Sequence, residues 1–208
     1  IQFNKNSWQK RNRIKVKDDF IYLSIDTKTK GKFKQKIKDV EILYDKKTKK
    51  KLLNSIYFNY KRSKYFEDYF WLLEETLKKD YKKLIDLNLN IIYLIFSFIG
   101  ISKERVIFSS ALKTKEKKFK LIEEIFNKTR ATSLITTKGT RQYFPKILPK
   151  DMLVQYFDYN DNYFPYKQLF GKFVPNLSIV DLLFNCGPQS VAIIKKNFKL
   201  IRDQDGKE

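Results

Sequence analysis

Apolar positions along this 208-residue chain recur with two different periods, and the switches between them mark out the elements. The run Phe20-Ile21-Tyr22-Leu23-Ser24-Ile25 and the alternating run Ile37-Lys38-Asp39-Val40-Glu41-Ile42 both predict strands, the second half-buried, with residues 27–36 as a polar loop between them. The period then lengthens. Asp45 can cap a helix in which Leu52, Leu53, Ile56, Tyr57 and Tyr60 form one stripe, opposite a face carrying Lys46, Lys47, Lys49 and Lys50. Residues 65–79 predict a second helix with Phe66, Tyr69, Phe70, Leu73 and Leu77 inward. A third, over residues 89–99, stops at Gly100, with Ile101 placed for the hydrophobic contact of a Schellman end. The surrounding apolar stretch, residues 87–101, is interrupted by Asn88, Asn90 and Ser97 and is too short for a bilayer span, so it reads as a core helix.

The second half of the chain alternates strand and helix. Val106-Ile107-Phe108 predicts a short buried strand, and residues 119–127 a helix with Phe119, Ile122, Ile125 and Phe126 apolar. Strands follow at residues 132–136 and 152–157, with Gly139 breaking the chain between them, and residues 177–186 form the last well-defined helix. The alternation predicts an α/β fold: a parallel or mixed sheet covered by helices, with a helical segment in the middle of the chain. Residues 1–201 read as a single domain and residues 202–208 as a polar tail that frays.

Composition narrows the chemistry. With no histidine, every mechanism built on a catalytic or zinc-ligating imidazole is excluded, and one cysteine, Cys186, supports neither an internal disulfide nor a Cys-based metal site. A reducing cytoplasm is the fitting compartment. No apolar leader is visible; Ile1 in place of Met, with Ile1 to Phe3 reading as the end of a strand, predicts a chain truncated at its N-terminus. The net charge of +21 is concentrated in residues 1–64, where 20 bases face 6 acids, a net of +14. That front third attracts anionic partners: nucleic acid, anionic lipid, or a nucleotide-linked metabolite. Only 7 of the 44 bases are Arg, the residue suited to reading phosphates, so a lysine-rich composition of the kind an AT-rich genome encodes accounts for much of the charge.

Trp8-Gln9-Lys10-Arg11-Asn12-Arg13-Ile14 is the densest polar constellation. Trp8 could stack on a base or sugar while Arg11, Asn12 and Arg13 clamp a phosphate; the plain alternative is a basic loop entering a strand. Ser109-Ser110 and Thr136-Thr137-Lys138-Gly139-Thr140 follow predicted strands, where α/β folds place ligands, but turns also use Ser, Thr and Gly routinely. Ser178 with Asp181 resembles a capping box, with Gly187-Pro188 as the stop of the same helix; structural capping competes there with Asp181 as a general base or ligand contact. Cys186, beside Leu183, Phe184 and Gly187, reads as an inert buried thiol. No pairing of acids has metal-site spacing.

The order of these pieces resembles the WbqC-like protein family. The resemblance rests on Gln2-Phe3 and Trp8, on Arg11-Asn12-Arg13-Ile14, on Tyr65-Phe66, Ile99-Gly100-Ile101 and Ser109-Ser110, and on a C-terminal cassette. That cassette comprises Tyr166, Gln168, Leu169, Phe173 and the run Pro175-Asn176-Leu177-Ser178-Ile179, followed by Asp181, Leu183, Asn185 and Gly187. The Arg-Asn-Arg piece and the cassette are the specific parts, and the match spans nearly the whole chain. Members of the family begin with a strand and a Gln-Pro-x-Tyr-Phe-Pro turn that would precede Ile1. The resemblance implies a place in bacterial O-antigen and surface-polysaccharide biosynthesis and a transferase of glycine or another amino acid to an amino sugar; with the reading of the residues themselves this widens to an amino-acid-derived (glycyl-like) or acyl group.

These readings combine into one expectation: a cytoplasmic transferase acting on a nucleotide-linked amino sugar or an adenylate, with ATP or a nucleotide sugar as substrate. Asp181 is its catalytic candidate. Trp8, Arg11, Asn12, Arg13, Ser109, Ser110, Thr136, Gly139, Tyr166, Gln168, Ser178 and Asn185 are candidates for substrate binding. Arg13 and Asp181 are expected to face one cleft although 168 positions apart. The alternative is a non-catalytic binder of nucleic acid or another anionic surface through the basic front third, against which stands the lack of any nucleic-acid-binding signature.

Overall fold

The computed structural model describes residues 2–32, 34–145, 147–158 and 164–202. In chain order its elements are β1 (Arg11–Lys15), β2 (Phe20–Ser24), β3 (Asp26–Thr27), β4 (Ile42–Leu43), α1 (Lys46–Tyr60), α2 (Phe66–Lys78) and α3 (Leu84–Ile99). There follow α4 (Lys118–Lys128), β5 (Ser133–Thr137), β6 (Leu153–Asp158), α5 (Ile179–Cys186), α6 (Ser190–Lys196) and β7 (Lys199–Arg202). The architecture is mixed α/β, with small sheets and helices in the middle of the chain. The chain folds as two compact units, the first formed by Ile1–Lys103 with Pro165–Ile193 and the second by Glu104–Phe164 with Ile194–Glu208. Of the strand end expected over residues 1–3, Ile1 lies outside the described residues, Gln2 forms an antiparallel bridge with Lys36, and Phe3 donates its N–H to the Gln35 carbonyl at 2.8 Å; Arg202, expected in the polar tail, is the last residue of β7, and residues 203–208 lie outside the described residues.

In the first unit, β1 and β2 form an antiparallel hairpin in which Arg13 pairs with Tyr22 and Lys15 with Phe20. Three helices pack with it around one core that includes Ile14, Leu52, Ile56, Leu73, Leu87 and Phe184. Helix α1 starts where the sequence predicts: the Asp45 carboxylate accepts the Thr48 N–H at 2.7 Å, which holds that carboxyl below its usual pKa. Helix α3 ends where predicted too. Gly100 takes φ +73°, and the N–H groups of Gly100 and Ile101 both reach the Phe96 carbonyl; the Ile101 side chain is exposed. Its start is five residues earlier than the periodicity suggests. Leu84 is fully buried and donates its N–H to Val40, while the Ile42 N–H reaches the Lys82 carbonyl.

Those bonds also correct the expected strand over residues 37–42. Ile37–Asp39 is a 3-10 turn, Glu41 makes an isolated antiparallel bridge with Lys83, and only Ile42–Leu43 pairs as a strand, with β3. The segment's backbone is spent on neighbouring loops, so alternation alone did not produce a ladder. The expected loop over residues 27–36 loses Thr27 to β3.

The second unit holds β5, β6 and β7 in that order, the first pair parallel and the second antiparallel, with α4 beside them. Phe126, Met152, Val154 and Tyr156 form its core. Val106-Ile107-Phe108 is not a strand. The three residues follow a 3-10 turn at Lys103–Arg105, and Ile107 and Phe108 are exposed, so an apolar triplet with no ladder partner stays irregular.

Candidate functional site

Backbone geometry joins the two most specific pieces of the sequence. The Arg13 carbonyl on β1 accepts the Ser178 N–H at 2.8 Å, fixing the Arg-Asn-Arg strand against the start of α5. The expected capping box at Ser178 does not form: its hydroxyl makes no capping bond, and Asp181 is tied back only through its N–H to the Ser178 carbonyl. The Asp181 carboxylate cannot reach back because it points into the first unit.

There Asp181 is fully buried at 0% exposure. Its Oδ2 accepts the Tyr166 hydroxyl at 2.7 Å and the Gln168 amide at 3.0 Å, while Oδ1 has no hydrogen-bond partner. Lys15, 1% exposed, lies in the same interior and donates its Nζ to the Lys172 carbonyl. The backbone N–H of Lys15 donates to the Tyr60 hydroxyl at 2.9 Å. Burial pushes the Asp181 carboxyl up from its usual pKa; the hydroxyls of Tyr166 and Tyr60, the Gln168 amide and the Lys15 ammonium pull against it. Burial likewise lowers Lys15, opposed by Asp181 and Asp18, and raises Tyr60. Sequence reasoning missed Lys15 and Tyr60. Only the strand period, which sets Lys15 on the same face as Arg11 and Arg13, hinted at the first.

Gln168 also exchanges two hydrogen bonds with the backbone of Val174, donating to its carbonyl and accepting its N–H, both at 2.9 Å. The loop between them includes Phe170 and Gly171, both at positive φ, and is therefore closed by a side chain acting as a peptide unit. Asn185 donates to the Asp181 carbonyl one turn earlier in its own helix, at 2.7 Å. Helix α5 ends at Gly187, φ +51°, where a Cβ would stand 2.6 Å from the Tyr65 ring. Cys186, just before it, is buried and its thiol is pushed up to about 11 by desolvation and by Asp181.

The face of β1 and β2 that carries Arg11 and Arg13 interleaves cations and rings. The Arg13 guanidinium lies 4.7 Å from the Phe20 ring and 5.1 Å from that of Trp8, and Arg11 lies 4.5 Å from Tyr22. Such contacts contribute about 0.5–1 kcal/mol each at exposed sites and hold the guanidinium planes in place. Arg11 also donates to the Asn6 carbonyl at 3.1 Å, and Arg13 Nε is buried without a partner.

Beside this face the first unit contains a cavity of about 280 Å³. Ile14, Leu23 and Ile25 of the hairpin region form one wall, and Leu52, Ile56, Leu73, Leu77, Leu87 and Ile91 of the three helices the others. Trp8, Lys10, Arg11, Asn12, Asn88 and Ser178 supply its polar part. Asn88 is held there by donating to the Gln9 carbonyl at 2.8 Å. Neither Arg13 nor Asp181 lines this space, though their immediate neighbours do.

The remaining candidates belong to the second unit. Ser109 and Ser110 lie in a turn rather than at the end of a strand, because the strand expected before them is absent. The Thr136 hydroxyl on β5 bonds that of Thr140 at 2.9 Å, and Gly139 is exposed in the 3-10 segment Lys138–Tyr143. Among the described residues no cluster of three or more Cys, His, Asp and Glu could hold a metal ion, and no helix is long and apolar enough to cross a membrane.

Comparison with known proteins places the chain on a family. The profile of the WbqC-like protein family matches residues 1–193. The uncharacterized protein Rv1507c of Mycobacterium tuberculosis is 30% identical over 193 residues, covering 91% of this chain and 82% of its own. No solved structure matches.

Proposed function

Because this chain belongs to the WbqC-like protein family, we propose that it is a cytoplasmic transferase of bacterial surface-polysaccharide biosynthesis, one that moves an amino-acid-derived or acyl group onto a nucleotide-activated amino sugar. The observation that carries the reading is the cavity of the first unit, where Trp8, Arg11 and Asn12 from one family motif meet Ser178 from the other. An exposed indole beside fixed cations suits a base and a diphosphate, and an aliphatic interior suits the group being transferred.

The chemistry is an acyl substitution. The sugar amine attacks the carbonyl of an activated donor, a thioester or an acyl phosphate anhydride. The new C–N bond forms, the bond to the thiolate or phosphate breaks with its electron pair, and the amine proton leaves to solvent. Asp181 has no exposed surface, so in this reading it is a positioning residue. It sets Tyr166 and Gln168, and through them the loop that precedes Ser178. Ser109, Ser110, Thr136 and Gly139 take no part that the cavity requires.

The test is a thermal-shift titration of the protein with ATP, a UDP-linked amino sugar and an acyl-CoA. A ligand that binds only the folded state must raise Tm, by an amount that grows with its concentration above Kd. A saturable rise with the nucleotide sugar is the expected result, and no rise with either the nucleotide sugar or ATP refutes the reading.

A further inference from the structure

We propose that the cavity between the hairpin and the three helices is a binding site for one aliphatic acyl chain, held with its carboxyl-derived end at the polar part of the lining, beside Lys10 and Arg11. This deepens the acyl-transfer reading and rests on it for the activation of the donor.

Two observations point to this ligand. The inner wall is built from branched aliphatic side chains of several different elements, among them Ile14, Leu23, Ile56, Leu73 and Ile91, so the interior offers dispersion contacts and nothing to hydrogen-bond. Water needs two to four polar partners to occupy such a space, whereas an alkyl chain needs none. The polar residues lie together in a short stretch of chain plus Asn88 and Ser178, and the lining contains two cations, Lys10 and Arg11, and no acid. A chain carrying a negative end is therefore favoured over a neutral or cationic amphiphile of the same length. The guanidinium of Arg11 is already oriented by the Tyr22 ring and the Asn6 carbonyl, so little side-chain freedom is lost when an anion arrives.

The negative end could be the carboxylate of a free fatty acid or the carrier phosphates of a thioester donor, and the probes separate the two. Hexanoate, octanoate, decanoate and dodecanoate are titrated alongside octanoyl-CoA, free CoA, octanol and octylamine. The readouts are Tm and the fluorescence of Trp8 in a Trp71→Phe background, Trp71 being exposed and outside the cavity lining. We expect saturable binding with an optimum chain length, and octanoate bound about tenfold or more tightly than octylamine. Octanoyl-CoA bound more tightly than both octanoate and free CoA identifies the thioester as the source; octanoate bound as well as octanoyl-CoA identifies the free acid. Ile91→Phe, which fills the cavity from a half-buried position, should weaken every chain about tenfold or more. Lys10→Glu in the polar part of the lining provides a second variant that leaves the aliphatic wall intact and should weaken octanoate but not octanol. No saturable response to any chain, equal binding of octanoate and octylamine, or chain binding unaffected by both variants overturns the proposal. Chain binding without any response to ATP or a nucleotide sugar keeps this site and removes the transferase; a nucleotide-sugar response with no chain binding does the reverse.

Discussion

The two units of the chain solve the problem of burying apolar surface to very different degrees. Among the described residues, nineteen buried apolar side chains form the core of the first unit and four that of the second. The first has three helices, a hairpin and α5 to close around its centre, so that Ile14, Val40, Tyr60 and Leu84 reach zero exposure. The second has α4 and a three-stranded sheet. The strand faces bearing Leu134, Val154 and Tyr156 are packed, while Ile135 and Leu153 remain 49% and 45% exposed. Ionisable groups follow the same division. The first unit buries a carboxylate and an ammonium, whereas Glu124 of the second is half-buried at the edge of its unit, where it accepts the N–H groups of Lys115 and Glu116 and pairs with Lys128 at 2.8 Å. A buried polar cluster is tolerable only where a large core surrounds it, and a small core is held at its edges by charged bonds to backbone.

The comparison breaks most visibly at Asp181. Asp181→Ala leaves Tyr166 and Gln168 without their buried acceptor and removes one of the two carboxylates, with Asp18, whose field acts on the buried Lys15, and should destabilise the first unit by about 3–5 kcal/mol in urea unfolding. A loss below about 1 kcal/mol would show that the cluster is not a coupled unit. Gly187→Ala should follow at about 2–4 kcal/mol, since the new Cβ meets the Tyr65 ring and the backbone sits at positive φ. Both losses can be read by the labelling rate of Cys186, whose thiol, held up at about 11 and buried, reacts only when α5 opens.

Phe126→Leu should cost about 1–2 kcal/mol and act on the second unit alone, making residues 104–158 susceptible to proteolysis while Cys186 stays protected. Cys186 labelling that rises in step with cleavage would show the two units to be one cooperative whole. The smallest effect is one of pH, and its sign differs between the units. The Asp181 carboxyl is raised by folding, so above the ordinary value of 3.8 the unfolded chain ionises first and the first unit loses stability as pH rises towards the folded pKa. Glu124 is held down to about 2 from 4.5; its contribution is complete above 4.5 and disappears as pH falls towards 2. Hydrogen exchange of α5 and α4 between pH 2 and pH 7 should therefore show opposite trends from these groups.

What was legible in the sequence was local. Asp45, Gly100 and Gly187 punctuate helices by short-range geometry, and the stripes of α1 and α2 place Leu52, Ile56, Leu73 and Leu77 inward as their spacing requires. What was not legible depends on partners far away in the chain. Alternation at residues 37–42 and apolarity at Val106-Ile107-Phe108 suggest strands, yet a strand exists only where another backbone pairs with it. The pattern around Ser178 and Asp181 fits a capping box, but the carboxylate is claimed by Tyr166 and Gln168, and the Ser178 N–H by Arg13. Trp8, Arg11, Asn12 and Ser178 could be nominated as polar candidates from their motifs. The cavity they border could not, because its walls come from elements that converge only on folding.

The first unit is discontinuous in the chain, and this has a consequence for its synthesis. Residues 2–103 leave the ribosome without α5, the element that supplies Val180, Leu183 and Phe184 to their core and the N–H that Arg13 accepts. Residues 104–164 must be translated first, which at 5–20 residues per second takes roughly 3–12 seconds. During that interval the ring of Phe66 lacks its partner Phe184, and Lys15 lacks Asp181. The nascent chain thus carries an open apolar surface of the kind chaperones bind, beside a strongly cationic segment, until α5 arrives and Ser178 at its start closes the contact with Arg13, 165 positions earlier.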